Sequence, residues 1–209
     1  MGAMPTPDVI VYYDYLCPFA WRGAELAGLV ASELGLDFRW RLFSLVQSNS
    51  KDPGFQIWNE KIDHEDPTGS GGLLPFLASL AARRQGLDAE NVFRLNLQRE
   101  RFTGHRAFSC ELMLEVADRS GLDLQRFRAD LGDPELRTQL AQEHHEAEQL
   151  NVFGTPTFRF LDSGATAYLR IRELPRDSEE AVDLFDRYRS LLTDYPWLET
   201  VKRPRNGGN

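Results

Sequence analysis

Apolar and polar positions alternate in two stretches near the N-terminus and change period between them. Asp8 to Asp14, DVIVYYD, is dense in β-branched and aromatic residues and predicts a strand buried in part on both faces. From Pro18 to about Leu34 the period lengthens. Trp21, Ala24, Leu26, Ala27, Leu29, Val30 and Leu34 recur at helical spacings, and Gly35 is placed to stop the helix. Asp37 to Val46 predicts a second strand, with Phe38, Trp40 and Leu42 set against Arg39 and Arg41. Strand, helix, strand is the unit that builds a parallel pair through a crossover.

Gln47 to Gly72 has another texture. Ser, Asn, Asp, Pro and Gly predict a long loop or partly ordered lid, with Phe55, Ile57 and Trp58 as apolar islands that pack on something. Helical patterns follow over 74–85, 89–102, 107–120, 124–131 and 134–150. Asp133 is the candidate cap of the last, with Pro134 in its first turn. Thr157–Leu161 and Ala167–Arg172 then predict a hairpin around Asp162-Ser163-Gly164. A closing helix runs from about Ser178 to Thr193 with Ala181, Val182, Phe185 and Tyr188 on its core face, and Ser178 ahead of Glu179 and Glu180 marks its start. No internal repeat is visible. The pattern is an α/β layer, β-α-β then β-β-α, with an all-helical insertion.

Composition narrows the function classes. The chain has 209 residues, 42% hydrophobic and 27% charged, which suits one globular domain with a real core. The formal net charge of −8 argues against nucleic acid and anionic membrane as partners, because both reward basic surfaces. The cluster Lys202-Arg203-Pro204-Arg205 reads as a solvated tail. No stretch approaches the ~20 apolar residues of a membrane span. MGAMPTPD lacks a basic segment followed by an apolar run, so a cytoplasmic location is expected. MGAM equally fits an appended remnant with a native leader removed. Two cysteines, Cys17 and Cys110, are too few for a disulfide framework.

The chemistry concentrates at Tyr12 to Trp21, YYDYLCPFAW. Cys17 falls between a strand and a helix, directly before a proline. A helix start carries unpaired N–H groups and partial positive charge, which favour thiolate over thiol. Pro18 suits the first helical turn, where a missing N–H costs nothing. The alternative is an inert buried cysteine closing the turn. A second feature is Val152 to Phe158, VFGTPTF, where Gly-Thr-Pro precedes a strand. X-Pro is the usual home of a cis peptide. A cis bond at Thr155–Pro156 would turn the Thr155 backbone outward to meet an extended partner, whereas a trans proline would simply end a loop.

In their order along the chain, from about Val9 to Leu192, these elements resemble the DsbA-like branch of the thioredoxin fold. YYDYLCPFAW and NVFGTPTF carry the resemblance most strongly. Within the branch, VFRLNLQRERFTGHRAFSCELMLEVADRSGLD is similar in cadence to the FrnE-like and 2-hydroxychromene-2-carboxylate isomerase-like group. The resemblance implies a single domain, with a thioredoxin-like core at 8–46 and 152–193, an insertion at 47–151 and a polar tail at 194–209. It implies Cys17 as nucleophile, Pro156 as the cis proline and Thr155 as the residue before it.

The departure is Ala20, where dithiol members carry the cysteine that releases substrate. Three readings stay open. Cys17 works as a monothiol resolved by glutathione or another low-molecular-weight thiol, with a disulfide or electrophilic substrate and no tightly bound cofactor. Or the chain is a glutathione-dependent isomerase or transferase acting on an aromatic substrate, although serine usually replaces Cys17 in those relatives. Or it is a catalytically silent binding protein, monomeric or homodimeric like the others.

Remaining residues weigh less. Pro18, Phe19 and Trp21 are expected to line a substrate groove, and Tyr12, Tyr13 and Tyr15 to be core or groove wall. Asp14 is expected to hold the loop before Cys17. Arg22 adds positive charge near the sulfur or points into water. Cys110 shares a helix face with Ala107, Leu114 and Ala117 and reads as core filler. Nothing puts it within the ~7 Å Cα distance that a bridge to Cys17 requires. His144-His145 read as a solvated helix face and His64-Glu65-Asp66 as a polar loop, so no metal is expected.

Overall fold

A computed structural model of the chain describes residues 6–62 and 72–203. Met1 to Met4, His64-Glu65-Asp66, Pro204-Arg205 and residues 63–71 of the long loop lie outside the described residues. Strand β1 (Val9–Tyr13) leads into helix α1 (Pro18–Leu34) and strand β2 (Phe38–Leu42). After the insertion come β3 (Thr157–Phe160), β4 (Thr166–Tyr168) and α8 (Ser178–Asp194). The four strands form one sheet in the order β2-β1-β3-β4. β1 runs parallel to β2, with Val9 opposite Phe38 and Tyr13 opposite Leu42. It runs antiparallel to β3, with Val11 opposite Phe158 and Tyr12 opposite Thr157.

Alternation along the strands decides what each face buries. Val9, Val11, Phe38, Phe158 and Phe160 form part of the main core, and Phe185 of α8 packs on the rings of Phe38, Phe158 and Phe160. Tyr12 belongs instead to a small second cluster with Phe43, Ala147 and Val152. α1 ends where the sequence predicts: Gly35 adopts a left-handed φ of 63° and its N–H bonds the Ala31 carbonyl.

The insertion comprises α2 (Leu45–Asn49), a 3-10 turn at Ile57–Asn59, α3 (Leu73–Arg83), α4 (Leu87–Phe102), α5 (Cys110–Arg119), α6 (Leu124–Leu131) and α7 (Glu135–Gln149). α3 is its axis. Leu73 through Ala82 are all buried, as befits a helix packed by α4, α6 and α7. Glu143 of α7 ties the insertion to the sheet. It accepts from the Leu42 N–H at 2.7 Å and from Arg41 at 2.8 Å, and also pairs with Arg83.

Several boundaries differ from the periodicity. β2 stops at Leu42, four residues before the expected end at Val46, because Ser44 caps α2 by accepting the Gln47 N–H. The segment after Val46 is therefore not all loop, and Ile57 and Trp58 are buried in its 3-10 turn. α5 starts at Cys110 rather than Ala107, since Ser109 caps it by accepting the Leu112 N–H. α7 begins just after Pro134, with Asp133 accepting the Glu135 N–H. Asp177, one residue before the expected start, caps α8 by accepting the Glu180 N–H. β4 ends at Tyr168, short of the expected Arg172.

One close approach joins the two halves of the sheet unit. A Cβ on Gly23 would lie 2.6 Å from Pro156 Cγ, inside any normal carbon contact. A glycine inside a helix otherwise costs about 1 kcal/mol relative to alanine. Gly23→Ala is expected to lower unfolding free energy by about 1–3 kcal/mol in urea titrations. Gly28→Ala on the same helix has nothing within 4 Å of the added methyl and is expected to raise it by up to ~1 kcal/mol. Equal effects at the two positions would contradict this packing.

Candidate active site

The turn between β1 and α1 is built around Asp14. Its backbone carbonyl accepts the Cys17 N–H at 3.2 Å. Its carboxylate accepts the Leu16 N–H and the Leu45 N–H, each at 2.7 Å. The side chain is fully buried, and that burial pushes its pKa up to about 6, against the opposing pull of the two backbone donors. Asp14 thus fixes the thiol's approach from one side and the start of α2 from the other. Cys17 is the N-cap residue of α1, extended at φ −94° and ψ 112°, with Pro18 opening the helix. The Cys17 carbonyl accepts the Ala20 and Trp21 N–H groups at 3.1 and 3.3 Å.

Opposite stands the loop before β3. The Thr155–Pro156 peptide is cis. Cys17 Sγ donates to the Thr155 carbonyl oxygen at 3.2 Å, across 138 positions of sequence. Thr157 Oγ1 donates to the Gly154 carbonyl at 2.7 Å, and Leu169 N–H to the Pro156 carbonyl at 3.1 Å, so the loop is held on both sides. The Thr155 hydroxyl is buried and makes no hydrogen bond among the described residues. A cleft of about 360 Å³ opens over the sulfur. It is lined by Leu16 to Phe19, by Phe153 to Thr155, and by Leu45 and Tyr168.

Of the residues expected at the site, Cys17, Pro18, Phe19 and Thr155 come together in this cleft. Pro156 lies behind it, packed on Gly23. Ala20 is fully buried. Trp21 does not line the cleft. It stacks on Phe102, ring centroids 5.7 Å apart, and its Nε1 donates to Glu25. Tyr13 and Tyr15 are core residues, both hydrogen-bonded to Ser79. Cys110 is half-buried against the core and is not part of the cleft. Among the described residues no group of three or more His, Cys, Asp or Glu side chains could hold a metal ion.

The expectation for His144 was wrong. It is fully buried, stacked on Phe43 at 4.7 Å, and its Nδ1 accepts the Ser44 N–H at 3.2 Å. Burial lowers its pKa, only partly offset by Glu148 nearby. Sequence reasoning also missed Leu45, Phe153 and Tyr168 as cleft residues, and Gly23 beneath it. A glycine within a strong helical pattern was the available signal for the last.

The thioredoxin family model matches residues 11–175. The chain belongs to the thioredoxin family. This thioredoxin-family chain is 24% identical over 175 residues to the ClpXP adapter protein SpxH of Bacillus subtilis, covering 75% of its own length and 58% of that relative's. Among solved structures it resembles the cytosolic disulfide reductase DsbM from Pseudomonas aeruginosa with GSH. The TM-score is 0.58 and the identity 20%, over 87% of this chain and 98% of the other. It also resembles 2-hydroxychromene-2-carboxylate isomerase, with a TM-score of 0.60 and 15% identity, over 92% and 99% of the two chains. The DsbA-like, isomerase-like resemblance read from the two motifs and the helical stretch between them therefore holds as a shared fold. Among the described residues no helix is long and apolar enough to cross a membrane.

Asp14 should leave a signature in stability. Its folded pKa of about 6 lies above the ordinary 3.8, so the folded chain holds this proton more tightly than the unfolded one. The contribution is greatest below about pH 4, falls as pH rises to about 6, and is flat beyond. His144 acts in the opposite sense over the adjoining range, but equally in wild type and in Asp14→Asn. The difference in unfolding free energy, wild type minus Asp14→Asn, is therefore expected to fall by roughly 2–3 kcal/mol between pH 4 and 6.5. A difference constant with pH would contradict the burial of this carboxyl.

Proposed function

We propose that the chain is a monothiol thiol–disulfide oxidoreductase in which Cys17 works with an external low-molecular-weight thiol. The observation that carries this reading is the placement of Cys17 Sγ at 3.2 Å from the Thr155 carbonyl, at the floor of an open cleft, with buried Ala20 one turn on. The sulfur has a partner-aligning backbone beside it and no second sulfur behind it.

The reaction then takes two exchanges. Cys17 thiolate attacks the glutathionyl sulfur of a mixed disulfide, forms a Cys17–glutathione disulfide and releases the substrate as thiolate. A second small thiolate attacks that glutathionyl sulfur, restores Cys17 and leaves as oxidised glutathione. In sum the substrate thiol is freed, one small thiol is consumed, its sulfur and the substrate's glutathionyl sulfur leave together as oxidised glutathione, and the protein is unchanged. The cleft supplies alignment for an in-line approach to sulfur, with the partner's backbone running beside Thr155. A reducing, cytoplasmic setting keeps the small thiol in supply and is part of this proposal. It is supported by the shared fold with a reductase described as cytosolic.

A second reading is favoured by one feature, the aromatic lining from Phe19, Phe153 and Tyr168. A glutathione-dependent isomerase or transferase acting on an aromatic substrate would use the same walls, as the fold shared with an isomerase allows. A silent binding role is the third, prompted by the similarity to an adapter protein.

With oxidised glutathione, peptide mass spectrometry is expected to locate a glutathionyl group on Cys17 ahead of Cys110, removed again by reduced glutathione. Modification confined to Cys110 would sink the proposal. Ala20→Cys restores the dithiol spacing and is expected to form an internal disulfide with Cys17. A variant that folds yet never forms it would count against the geometry of this turn.

A further inference from the structure

Phe19 lines the thiol cleft, and two guanidinium groups lie over its ring. Arg170 Cζ is 3.8 Å from the ring centroid and Arg22 Cζ is 5.5 Å from it. Arg22 lies in the first turns of α1, five residues after Cys17. Arg170 lies two residues beyond Tyr168, a cleft residue, and next to Leu169, whose N–H bonds the Pro156 carbonyl. The two cations thus reach one ring from different elements, one from α1 and one from the segment after β4. Cation–π contact holds each guanidinium through its face and leaves its N–H edge available.

Neither Arg22 nor Arg170 makes an ion pair or a side-chain hydrogen bond among the described residues. Elsewhere in the chain arginines find carboxylates readily: Arg83 with Glu90, Arg84 with Asp133, Arg99 with Glu25, Arg119 with Glu100. In a chain with 32 acidic residues against 24 basic ones, two guanidiniums gathered on one ring with no carboxylate paired to either among the described residues are set against the overall charge. Both cations lie over Phe19, which lines the cleft that holds the sulfur.

We infer that Arg22 and Arg170 form a carboxylate-reading rim that selects an anionic, carboxylate-bearing small thiol as the co-reactant of Cys17. The inference rests on the monothiol reading above and adds the chemistry that chooses the thiol. A guanidinium edge takes a carboxylate through paired N–H donors. Neutral and cationic thiols gain nothing from the rim.

Two measurements on the full chain separate the rim from the sulfur chemistry. S-methylglutathione carries both carboxylates and no free thiol, so its binding by calorimetry reports recognition without sulfur exchange, and the arginine variants isolate the rim's share. Binding is expected to weaken about fivefold per arginine in Arg22→Gln and Arg170→Gln, more in the double variant, and also at ~1 M salt. Absence of binding to the wild type, or equal binding to the double variant, overturns the rim. In the second, a Cys110→Ser chain is loaded on Cys17 with 2,2′-dithiodipyridine, and release is timed with glutathione and with its diethyl ester, in which both carboxylates are masked. The rate ratio of acid to ester is expected to drop about fivefold or more in the double variant. An unchanged ratio overturns the proposal. Failure of Cys17 to load at all overturns the monothiol function instead, and is told apart by the calorimetry.

Discussion

The meeting of Cys17 Sγ with the Thr155 carbonyl is the contact on which the rest of the site depends. Its cause lies in the sheet. β1 and β3 are antiparallel neighbours with Tyr12 opposite Thr157. The residues that leave β1 and the residues that enter β3 must therefore emerge at the same end of the sheet. The first exit carries Asp14 to Cys17 into α1, and the second entry carries Gly154 to Pro156. Gly23 then lets α1 lie against the Pro156 ring without a side chain between them. A sulfur at a helix start, a backbone carbonyl at hydrogen-bond distance and an open cleft follow from pairing and one missing methyl group.

The helical insertion has a part in this that its position in the sequence conceals. Four consecutive backbone N–H groups at the end of β2 are each held by a different residue. Leu42 gives its N–H to Glu143, Phe43 to the Tyr13 carbonyl, Ser44 to His144, and Leu45 to Asp14. Two of these acceptors come from α7 and two from β1 and the turn after it. The result turns the chain out of the sheet into α2 and sets Leu45 in the lining of the cleft. Buried polar acceptors of this kind leave little tolerance for an unpaired partner, since each orphaned buried donor costs about 1–3 kcal/mol. Helix packing in the insertion and the shape of the thiol cleft are thereby coupled through backbone hydrogen bonds.

Local signals made much of the frame legible. Strand density in DVIVYYD, helical spacing from Pro18 to Leu34, and Gly-Thr-Pro ahead of a strand are each written within about a dozen residues, and the structure has β1, α1 and a cis turn at those places. The misses share a different cause. Leu42 to Val46 continues the apolar texture of β2, and only the Ser44 cap with acceptors from Asp14 and α7 converts its end to a helix. His144 looks like a solvated neighbour of His145 because the Phe43 ring that covers it is about a hundred positions away in sequence. Trp21 is adjacent to the motif in sequence, yet the helix turns it toward Phe102 and Glu25. What one element dictates by itself could be read, and what required two distant segments to meet could not.

The central claim is that Cys17 alone carries turnover and that an outside thiol completes it. Steady-state rates for glutathione-dependent reduction of a glutathionylated peptide, varied in both reactants, test this most directly. The account predicts parallel double-reciprocal lines, the mark of a covalent intermediate, with the activity lost in Cys17→Ser. Activity that persists in Cys17→Ser would contradict it, and would turn attention to chemistry in which the small thiol is held by the cleft and the sulfur of residue 17 is dispensable.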